Sequence, residues 1–417
     1  MSEHPFSDIC VMGLGYIGLP TATLIASRGL NVIGVDKNPH VIETVNQGKI
    51  HIVEPDLEGL VLKVTSDGKL KAYDSAKPAD IFIITVPTPI NQDKSPDMKY
   101  VDAALGEIAQ HLRKGNLVII ESTSPVGTTQ KAAEFLASKR TDLTFPHTHG
   151  EDSDVRMAYC PERVLPGQII TELMNNDRIV GGMTPKCAAL AKRFYQVFVR
   201  GNCHTGTHDT AELVKLSENA YRDVNIAFAN ELSNVCNHHG IDVNQVIRFA
   251  NLHPRVNILS PGPGVGGHCI PIDPWFIVHE APHATPLIQT ARKINDDRPH
   301  QAAAMVLEHV KQNPKARIAC LGLAYKPNVD DLRESPAIEI VHDLASKHAE
   351  KLYVCEPHIK ALPQNLVEIR NIVFTDALSA VNEADIIVAL VNHHSFGYID
   401  KSALKDKTLL DFCGVWR

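Results

Sequence analysis

Residues 9–18 read Ile-Cys-Val-Met-Gly-Leu-Gly-Tyr-Ile-Gly, and this stretch decides the fold. Four apolar residues that suit a buried strand lead directly into a G-x-G-x-x-G turn, and a helical apolar pattern follows over residues 21–28. A second apolar strand at residues 32–35 ends at an acid, Asp36. Strand, glycine turn, helix, strand and acid in this order predict the first βαβ unit of a Rossmann-like sheet.

Each glycine of the turn has a separate physical task. Gly13 permits the tight turn, Gly15 lets a pyrophosphate approach the backbone, and Gly18 allows the helix to pack closely on the strand. The carboxylate of Asp36 would bind ribose hydroxyls and repel a 2′-phosphate, so NAD is predicted rather than NADP. The predicted cofactor contacts in this unit are Gly13, Gly15, Tyr16, Ile17, Gly18 and Asp36.

Further buried strands are predicted at residues 81–86, 117–120, 157–160 and 178–181, which extends a parallel, doubly wound sheet. Ligands of such sheets bind beyond the carboxyl ends of the strands. Two of these ends are rich in turn residues, at 86–89 and 121–129, and they place Thr88 and Thr129, or its neighbour Thr128, against the cofactor. Plain turn chemistry by threonine and proline is the alternative interpretation.

The middle of the chain changes character. Apolar residues recur at helical spacing over 207–249 and again over 287–294, and a second alternation of strands and helices begins near residue 316. The predicted fold class is therefore α/β, with two Rossmann-like doubly wound domains joined by a central helical domain. The predicted boundaries are 1–205, 206–310 and 311–417.

Composition excludes several classes of protein. A net charge of −7 argues against nucleic-acid binding, and no apolar run is long enough to span a membrane. The N-terminus lacks the features of a signal peptide, and the nine cysteines, scattered singly, suit a reducing cytoplasm. Paired histidines such as His393 and His394 lack a metal-binding spacing, so they are predicted to be solvated and no metal site is expected.

A glycine-rich loop at residues 262–269 ends in Cys269, four residues before Asp273. A thiolate there could attack an aldehyde, and a second hydride transfer would then leave a thioester that water releases as an acid. Lys215 and Asn219 lie four apart on one predicted helix face, where they could stabilise an oxyanion. The alternatives are an inert buried cysteine and a solvated helix face. Together these groups predict a four-electron oxidation that consumes two NAD.

These motifs identify a resemblance to the UDP-glucose/GDP-mannose dehydrogenase family. It is carried by residues 13–18, 122–127, 160–163, Lys215 with Asn219, 266–269, Asp273 and 331–336. The stretches at 15–20, 50–56, 160–167, 253–257 and 414–417 resemble the branch that oxidises UDP-N-acetylmannosamine. The UDP-glucose branch usually carries a second acid where this chain has Pro166, which weakens an assignment to UDP-glucose.

The resemblance implies a role for each matching position. Cys269 matches the nucleophile, Lys215 the catalytic lysine, Asn219 and Asp273 the groups that stabilise the anionic intermediate, Glu162 an acid in proton handling, and Thr123 a position near the hydrolytic water. Arg333 resembles an arginine near the cofactor. The positions implied to contact the substrate are Arg163, Val164, Lys215, Asn219, Arg222, His253, Arg255, Gly266, Tyr325 and Lys326.

The resemblance also implies a UDP-sugar substrate held by the C-terminal domain, and a homodimer in which Arg255 reaches the neighbouring subunit's site. Three alternatives stay open. The sugar could be UDP-N-acetylglucosamine or UDP-glucose. A single-step 3-hydroxyacid dehydrogenase also combines a Rossmann domain, a helical domain and a Lys-x-x-x-Asn pair. A regulatory protein that only binds NAD could keep the same fold.

Overall fold

The computed structural model describes residues 6–165 and 167–416. Pro166 and Arg417, on which part of the sequence comparison rests, lie outside the described residues. The chain divides into two compact units, Met1–Glu218 and Asn219–Arg417. The predicted three-domain boundaries are finer than this division and stay a prediction.

The N-terminal unit is built on one eight-stranded sheet with the order β3-β2-β1-β4-β5-β6-β7-β8. Neighbouring strands are parallel except β6 and β7, which pair antiparallel through Ala158–Gly182 and Tyr159–Gly181. The prediction of an all-parallel extension was wrong here, because a buried apolar run looks the same in either direction. The strands are β1 (Asp8–Met12), β2 (Asn31–Val35), β3 (Leu70–Tyr73), β4 (Ile81–Ile84), β5 (Leu117–Ile120), β6 (Arg156–Tyr159), β7 (Arg178–Gly182) and β8 (Cys203–Thr207).

Helices cover both faces of this sheet, as in a doubly wound fold, and each face has its own apolar core. Asn38 and Thr184 cap α2 and α8 by accepting backbone N–H groups of the first turn. The helices are α1 (Gly18–Ser27), α2 (Pro39–Asn46), α3 (Leu57–Ser66), α4 (Lys99–Ala109), α5 (Thr128–Lys139), α6 (Pro146–His149), α7 (Ile169–Asn175) and α8 (Pro185–Tyr195).

A 32-residue helix, α9 (His208–His239), follows β8 and confirms the predicted helical middle. After it come α10 (Val243–Ala250), α11 (Asp273–Glu280) and α12 (Pro286–Gln312). The buried polar residues Asp223 of α9 and Arg292 of α12 form an ion pair with an Oδ1–Nη1 distance of 2.5 Å. Asn295 donates to the same carboxylate at 2.9 Å, so α9 and α12 are joined by a buried polar network, in which Asp223 Oδ2 and Arg292 Nε have no hydrogen-bond partner among the described residues.

A five-stranded sheet completes the second unit, and all its pairs are parallel in the order β11-β10-β9-β12-β13. The strands are β9 (Ile318–Leu321), β10 (Leu352–Cys355), β11 (Ile372–Phe374), β12 (Ile386–Ala389) and β13 (Thr408–Asp411). The helices are α13 (Pro336–Lys347), α14 (Gln364–Val367) and α15 (Ala377–Glu383). The first five strands of each sheet therefore have the same spatial order, which confirms two Rossmann-like domains.

Two edge strands were missed from the sequence. β3 reads Leu-Lys-Ala-Tyr, and β8 reads Cys-His-Thr-Gly-Thr with four of its five residues exposed. Neither has the continuous apolar run by which the other strands were recognised, because an edge strand needs one covered face at most. Among the described residues, no helix is both long and apolar enough to cross a membrane.

Candidate active site

The glycine turn after β1 has the geometry that a pyrophosphate requires. Gly13 has φ of 98°, which favours glycine, and its N–H donates to Val35 O at 2.8 Å. A Cβ on Gly18 would lie 1.8 Å from Gly13 O, so only glycine fits there. A Cβ on Gly15 would meet no atom within 4 Å. The exposed backbone of Gly15 is therefore open to a ligand at the start of α1.

Asp36 lies at the end of β2 and fits a ribose. Its Oδ2 accepts from Leu14 N at 3.0 Å and its Oδ1 from Asn38 N at 2.9 Å, which fixes the carboxylate and leaves lone pairs for hydroxyl donors. Partly buried His51 interacts with both Leu14 and Asp36, and desolvation lowers its pKa. Sequence analysis did not single out His51, although it lies in the 50–56 stretch. These features together fit NAD, with Tyr16 and Ile17 half-buried in the same turn.

The threonines predicted to contact the cofactor differ in placement. Thr88 is half-buried beyond the end of β4. Thr123, which the resemblance places near the hydrolytic water and not at the cofactor, is half-buried beyond the end of β5. Thr129 is fully buried, and its hydroxyl donates to Glu212 Oε1 at 2.6 Å. The Thr128 hydroxyl donates to Pro125 O at 2.7 Å. Both hydroxyl protons are thus used inside the protein, so either side chain could offer a cofactor only its lone pairs. The cofactor role of these residues stays a prediction.

Glu212 and Glu54 are buried acids that sequence analysis did not assign. The Glu212 carboxylate accepts from the backbone N–H of Gly127 at 2.7 Å and of Thr129 at 2.8 Å. Glu54 accepts from the N–H groups of Gly167 and Ile169, both at 2.7 Å. Each acid therefore fixes a loop at the carboxyl end of the sheet that carries predicted site residues. A lone acid in a sequence gives no signal for such a role.

The loop after β6 carries Glu162, Arg163 and Val164. Glu162 is buried, and its Oε2 lies 2.8 Å from Arg178 Nη2. Arg163 is bound by Glu218, at 2.8 Å between Nη1 and Oε1, and it also donates to the backbone oxygen of Asp177. Val164 is half-buried and packs on the core of the first unit. A substrate phosphate would therefore compete with Glu218 for the Arg163 guanidinium.

Lys215 and Asn219 both belong to α9, where Lys215 is half-buried and Asn219 is buried. Four residues of α-helix place them one above the other on the same face, as predicted. In the second unit, Asn219 Nδ2 donates to Asp273 Oδ2 at 2.5 Å. Asp273 opens α11, and its N–H donates to Cys269 O at 2.8 Å. The predicted nucleophile, acid and amide thus form one connected group.

Cys269 is half-buried, unlike seven of the other cysteines, which are buried. The glycine loop before it packs against the segment after β9. A Cβ on Gly266 would lie 2.7 Å from the Cβ of Tyr325, and Gly267 N donates to Arg333 O at 3.2 Å. Lys326 follows Tyr325 and is half-buried. The structure therefore brings Gly266, Tyr325, Lys326 and the Arg333 backbone next to the Cys269 loop.

The Arg333 side chain is exposed and bound to Asp331, with 2.5 Å between Nη2 and Oδ2. Burial opposes ionisation of Asp331, but its hydrogen bonds from Arg333 outweigh that effect and lower its pKa. The place of Arg333 near the cofactor stays a prediction.

Three more predicted substrate residues are exposed in the second unit: Arg222, His253 and Arg255. The loop that carries the last two is held by Asn225, whose side chain donates to Asn257 O at 2.9 Å and accepts from Leu259 N at 2.9 Å. The loop is therefore anchored while the His253 and Arg255 side chains are exposed, and the substrate role of all three residues stays a prediction.

The prediction that His393 is solvated was wrong. His393 is fully buried, its Nε2 lies 3.0 Å from Glu356 Oε2, and its Nδ1 accepts from Asn328 N at 2.9 Å. Glu356, His358 and His393 place possible ligand atoms within 4.8 Å of one another. Because both ring nitrogens of His393 already have hydrogen-bond partners, a metal ion would have to displace one of them.

Models of one known protein family match nearly the whole chain. Residues 7–199 match the NAD binding domain of the UDP-glucose/GDP-mannose dehydrogenase family, residues 209–297 its central domain and residues 319–417 its UDP binding domain. The chain belongs to this family. It is an NAD-dependent nucleotide-sugar dehydrogenase, as the resemblance implied.

Several relatives are similar over their full length. UDP-N-acetyl-D-mannosamine dehydrogenase of Campylobacter jejuni is 54% identical, over 94% of this chain and 97% of the relative. NDP-N-acetyl-D-galactosaminuronic acid dehydrogenase of Ralstonia nicotianae is 53% identical, over 99% and 96%. The solved UDP-D-ManNAc dehydrogenase of Pyrococcus horikoshii is 39% identical, with a TM-score of 0.89 over 98% of this chain and 96% of that one.

Proposed function

We propose that this dehydrogenase oxidises C6 of UDP-N-acetyl-D-mannosamine to the uronic acid, with two NAD and one water, through a thioester on Cys269. The observation that carries the proposal is the Cys269–Asp273–Asn219 group in a chain about half identical to mannosamine dehydrogenases of several bacteria. An enzyme that stopped at the aldehyde would need only one hydride acceptor and no nucleophile.

The proposed chemistry begins at the sugar hydroxyl. NAD, which the glycine turn and Asp36 would hold, would supply the hydride acceptor for both oxidations at C6. In the first, the hydroxyl proton passes to a base, for which buried Glu162 is proposed, and an aldehyde forms. The Cys269 thiolate then adds to the aldehyde carbon, which forms an S–C bond and an alkoxide. The ammonium of Lys215 and the amide of Asn219 are proposed to stabilise this negative charge.

The second hydride loss converts the thiohemiacetal into a thioester. Water then attacks the carbonyl carbon, the C–S bond breaks, and the carboxylate and the Cys269 thiolate are released. The sum is one alcohol, one water and two NAD giving one carboxylate, two NADH and three protons. Thr123, half-buried beyond β5, is proposed to lie near the attacking water, and Asp273 to assist this step.

Cys269→Ser tests the covalent route. The variant should lose acid formation, because an alkoxide leaves a carbonyl carbon far less readily than a thiolate does. NADH and acid are measured together by absorbance and mass spectrometry. Wild type should give two NADH per acid, whereas a single-step dehydrogenase would give one per product. Cys413→Ser, at another half-buried cysteine without a disulfide, is the matched control. Full acid formation by Cys269→Ser would contradict the thioester.

A second sugar stays open because relatives named for galactosaminuronic acid are about as similar to this chain as those named for mannosamine. The two N-acetylated sugars differ in the configuration of their ring carbons. Because residues 50–56 and 253–257 resemble the mannosamine branch, we expect UDP-N-acetylmannosamine to have the largest kcat/KM in a panel of UDP-sugars. The panel also contains UDP-N-acetylglucosamine, UDP-N-acetylgalactosamine and UDP-glucose. Preference for any other member would replace the proposed substrate.

The same proposal includes a homodimer in which Arg255 completes the neighbouring site. It is supported by an exposed apolar stripe on α9, where Tyr221, Phe228 and Val235 recur every seven residues with 62%, 53% and 52% exposure. Exposed apolar residues that recur along one side of a surface helix are typical of a subunit interface. Because Arg255 is exposed on an anchored loop, it is free to reach a second chain.

Complementation between inactive variants tests this arrangement. Arg255→Ala and Cys269→Ser chains are co-expressed and assayed against each homodimer. If Arg255 crosses, random pairing gives about half mixed dimers with one complete site each, hence about a quarter of wild-type activity. If Arg255 acts in its own subunit, no mixed dimer has a complete site and activity stays at the level of the separate variants. Light scattering on wild type checks the dimer itself.

A further inference from the structure

A buried polar cluster in the first unit includes Glu162. We call Glu121, Tyr195, Arg178, Glu162 and Cys160 the Arg178 cluster. Glu121 directly follows β5, Arg178 begins β7 and Tyr195 ends α8. All five side chains are at most 8% exposed. Of these residues only Glu162 has a place in the proposed chemistry.

The contacts within the Arg178 cluster are specific. Tyr195 donates to Glu121 Oε1 at 2.5 Å. The Arg178 guanidinium lies over the Tyr195 ring at 5.0 Å and donates to Cys160 Sγ at 3.8 Å. Its Nη2 is 2.8 Å from Glu162 Oε2, which is close enough for an ion pair. The angles at this contact do not fit a hydrogen bond, so Glu162 Oε2 has no hydrogen-bond partner among the described residues. Arg178 is thus shared among several groups rather than aligned on one.

The cluster has one permanent cation for two buried carboxyl groups. Arg178 stays protonated, and the pKa of Tyr195 is raised by burial, so its hydroxyl keeps its proton. Oε2 of Glu121 is buried and has no hydrogen-bond partner among the described residues. An ionised carboxylate with one bare oxygen inside the protein is costly, whereas a protonated one is not. The geometry therefore favours a proton on Glu121 rather than two anions.

We propose that Glu121 is a protonated positioning residue, which leaves the charge of Arg178 to Glu162 and thereby holds Glu162 for proton transfer. This inference rests on the proposed function only for the role of Glu162. When Glu121 ionises, it becomes a second anion beside the same guanidinium. Arg178 is then drawn away from Glu162, whose carboxylate loses its ion pair and its fixed position.

The titration expected for Glu121 falls in the neutral range. Burial raises its pKa to about 7, the charge of Arg178 opposes that rise, Glu162 adds to it, and the hydrogen bond from Tyr195 lowers it. Arg178 on β7, Tyr195 on α8, and Cys160 and Glu162 after β6 are the titratable or charged groups that face it. Burial also raises the pKa of Cys160 to about 12, so this thiol stays neutral.

Infrared difference spectroscopy of the full-length protein tests the proton directly, without any turnover. Spectra at about pH 6 and about pH 8.5 should differ by the carbonyl band of a protonated, buried carboxylic acid in wild type. Glu121→Gln should lack that band, and Tyr195→Phe should keep it and shift its titration upward, because a donor to the ionised form has been removed. Absence of the band from wild type would overturn the proposal, whatever the activity.

Kinetics test the positioning role. Glutamine has the shape of a protonated glutamate, so Glu121→Gln should match wild type at about pH 6. At about pH 8.5 its kcat/KM should be about threefold higher than that of wild type. This ratio corresponds to a coupling between Glu121 and Glu162 of about half a pKa unit. Two profiles of identical shape would refute the coupling to Glu162. If the band is present but no UDP-sugar is oxidised, the proposed function fails and the proton on Glu121 stands.

Discussion

Gly15 and Gly18 lie three residues apart in one turn, yet a methyl group on each should act differently. On Gly18 it would meet Gly13 O at 1.8 Å, so Gly18→Ala must move α1 away from β1. On Gly15 it would meet no protein atom, but it would stand where the pyrophosphate approaches. We expect Gly18→Ala to lower both Tm and NAD affinity, and Gly15→Ala to lower NAD affinity alone.

Calorimetric Tm and NAD titration separate the two outcomes. Backbone displacement in a packed turn costs about 1–3 kcal/mol, whereas Gly15→Ala should leave the unliganded protein within about 0.5 kcal/mol of wild type. Gly59→Ala, on α3 with open space around its Cβ, is the control for a harmless added methyl. Equal loss of stability in both turn variants would mean that Gly15 is packed rather than open.

Glu121 should also change how stability depends on pH. Its pKa in the folded protein, about 7, lies above the ordinary value of 4.5, so between these values the folded state holds a proton that the unfolded state lacks. The free energy of unfolding therefore falls as pH rises through this window, by about 3 kcal/mol from this group. Urea unfolding at about pH 5 and pH 8 should show a smaller fall in Glu121→Gln than in wild type. An equal fall in both would place the proton elsewhere.

At the scale of elements, one buried pair holds the segment after β9 that carries Tyr325 and Lys326. His393 binds Glu356 on one side and Asn328 N on the other, and Asn328 Oδ1 accepts from His394 N at 3.0 Å. Burial opposes ionisation of Glu356, but donation from His393 and from backbone N–H groups outweighs it and lowers the pKa of Glu356. The pair is thus a charged carboxylate satisfied by its donors.

His393→Ala should destabilise the protein by about 3–5 kcal/mol, because it leaves the Glu356 carboxylate buried without its side-chain donor. His393→Gln, which can still donate to Glu356, should recover part of that loss. If Lys326 contacts the substrate as the resemblance implies, the loosened segment should raise KM for the UDP-sugar more than it lowers kcat. His394→Gln, at the exposed neighbour, should match wild type in both. Chemical denaturation and steady-state kinetics provide the two measurements.

Most helices and strands were predictable from the sequence. Exposed edge strands, strand direction and long-range polar partners were not, because the pattern of apolar residues carries no information about them. Strands buried on both faces, such as β4 and β5, were found because they are unbroken apolar runs. β8 was missed because an exposed edge strand has no such run. The antiparallel pairing of β7 with β6 was missed because the pattern of apolar residues is the same for either strand direction. His393 was taken for solvated because its partner, Glu356, is 37 residues away in sequence.

For the candidate site, motif residues were predictable and their supports were not. Cys269 and Asp273 were recognisable from the glycine loop, and the structure adds that Asn219 binds Asp273 directly. The Arg178 cluster, by contrast, joins residues that follow β5 and β6 with residues of β7 and α8, which are far apart in the chain. Only the sheet order brings these strand ends together, so local sequence gives no sign of their contact.

At the scale of the whole molecule, the two sheets repeat one design with different consequences. Gly13 N donates to Val35 O and Gly322 N to Cys355 O, both at 2.8 Å, and both glycines have φ of 98°. The acid after the second strand accepts the next N–H in each case, from Leu14 to Asp36 and from Leu323 to Glu356. The second α/β domain therefore reproduces the dinucleotide turn of the first.

The repeat should nevertheless bind only one NAD per chain. Asp36 is partly exposed, so its lone pairs remain within reach of ribose hydroxyls. Glu356 is 3% exposed, with one oxygen bound by His393, Leu323 and Ala324 and the other by His358 N. A ribose could reach Glu356 only by displacing His393, which also holds Asn328. The second α/β domain thus keeps the glycine turn, but its acid, Glu356, is not accessible to a dinucleotide.

Isothermal titration of NAD into the full chain should give about one site per chain, and Gly15→Ala should remove or weaken that site as a whole. A second NAD that survives Gly15→Ala and disappears in a variant of Gly322 would contradict the closed acid. If the two proposed hydride transfers use this one NAD site, the first NADH must leave while the substrate stays bound. Rapid-quench samples of wild type should therefore contain no free aldehyde, whereas release of aldehyde in the first turnover would separate the two oxidations.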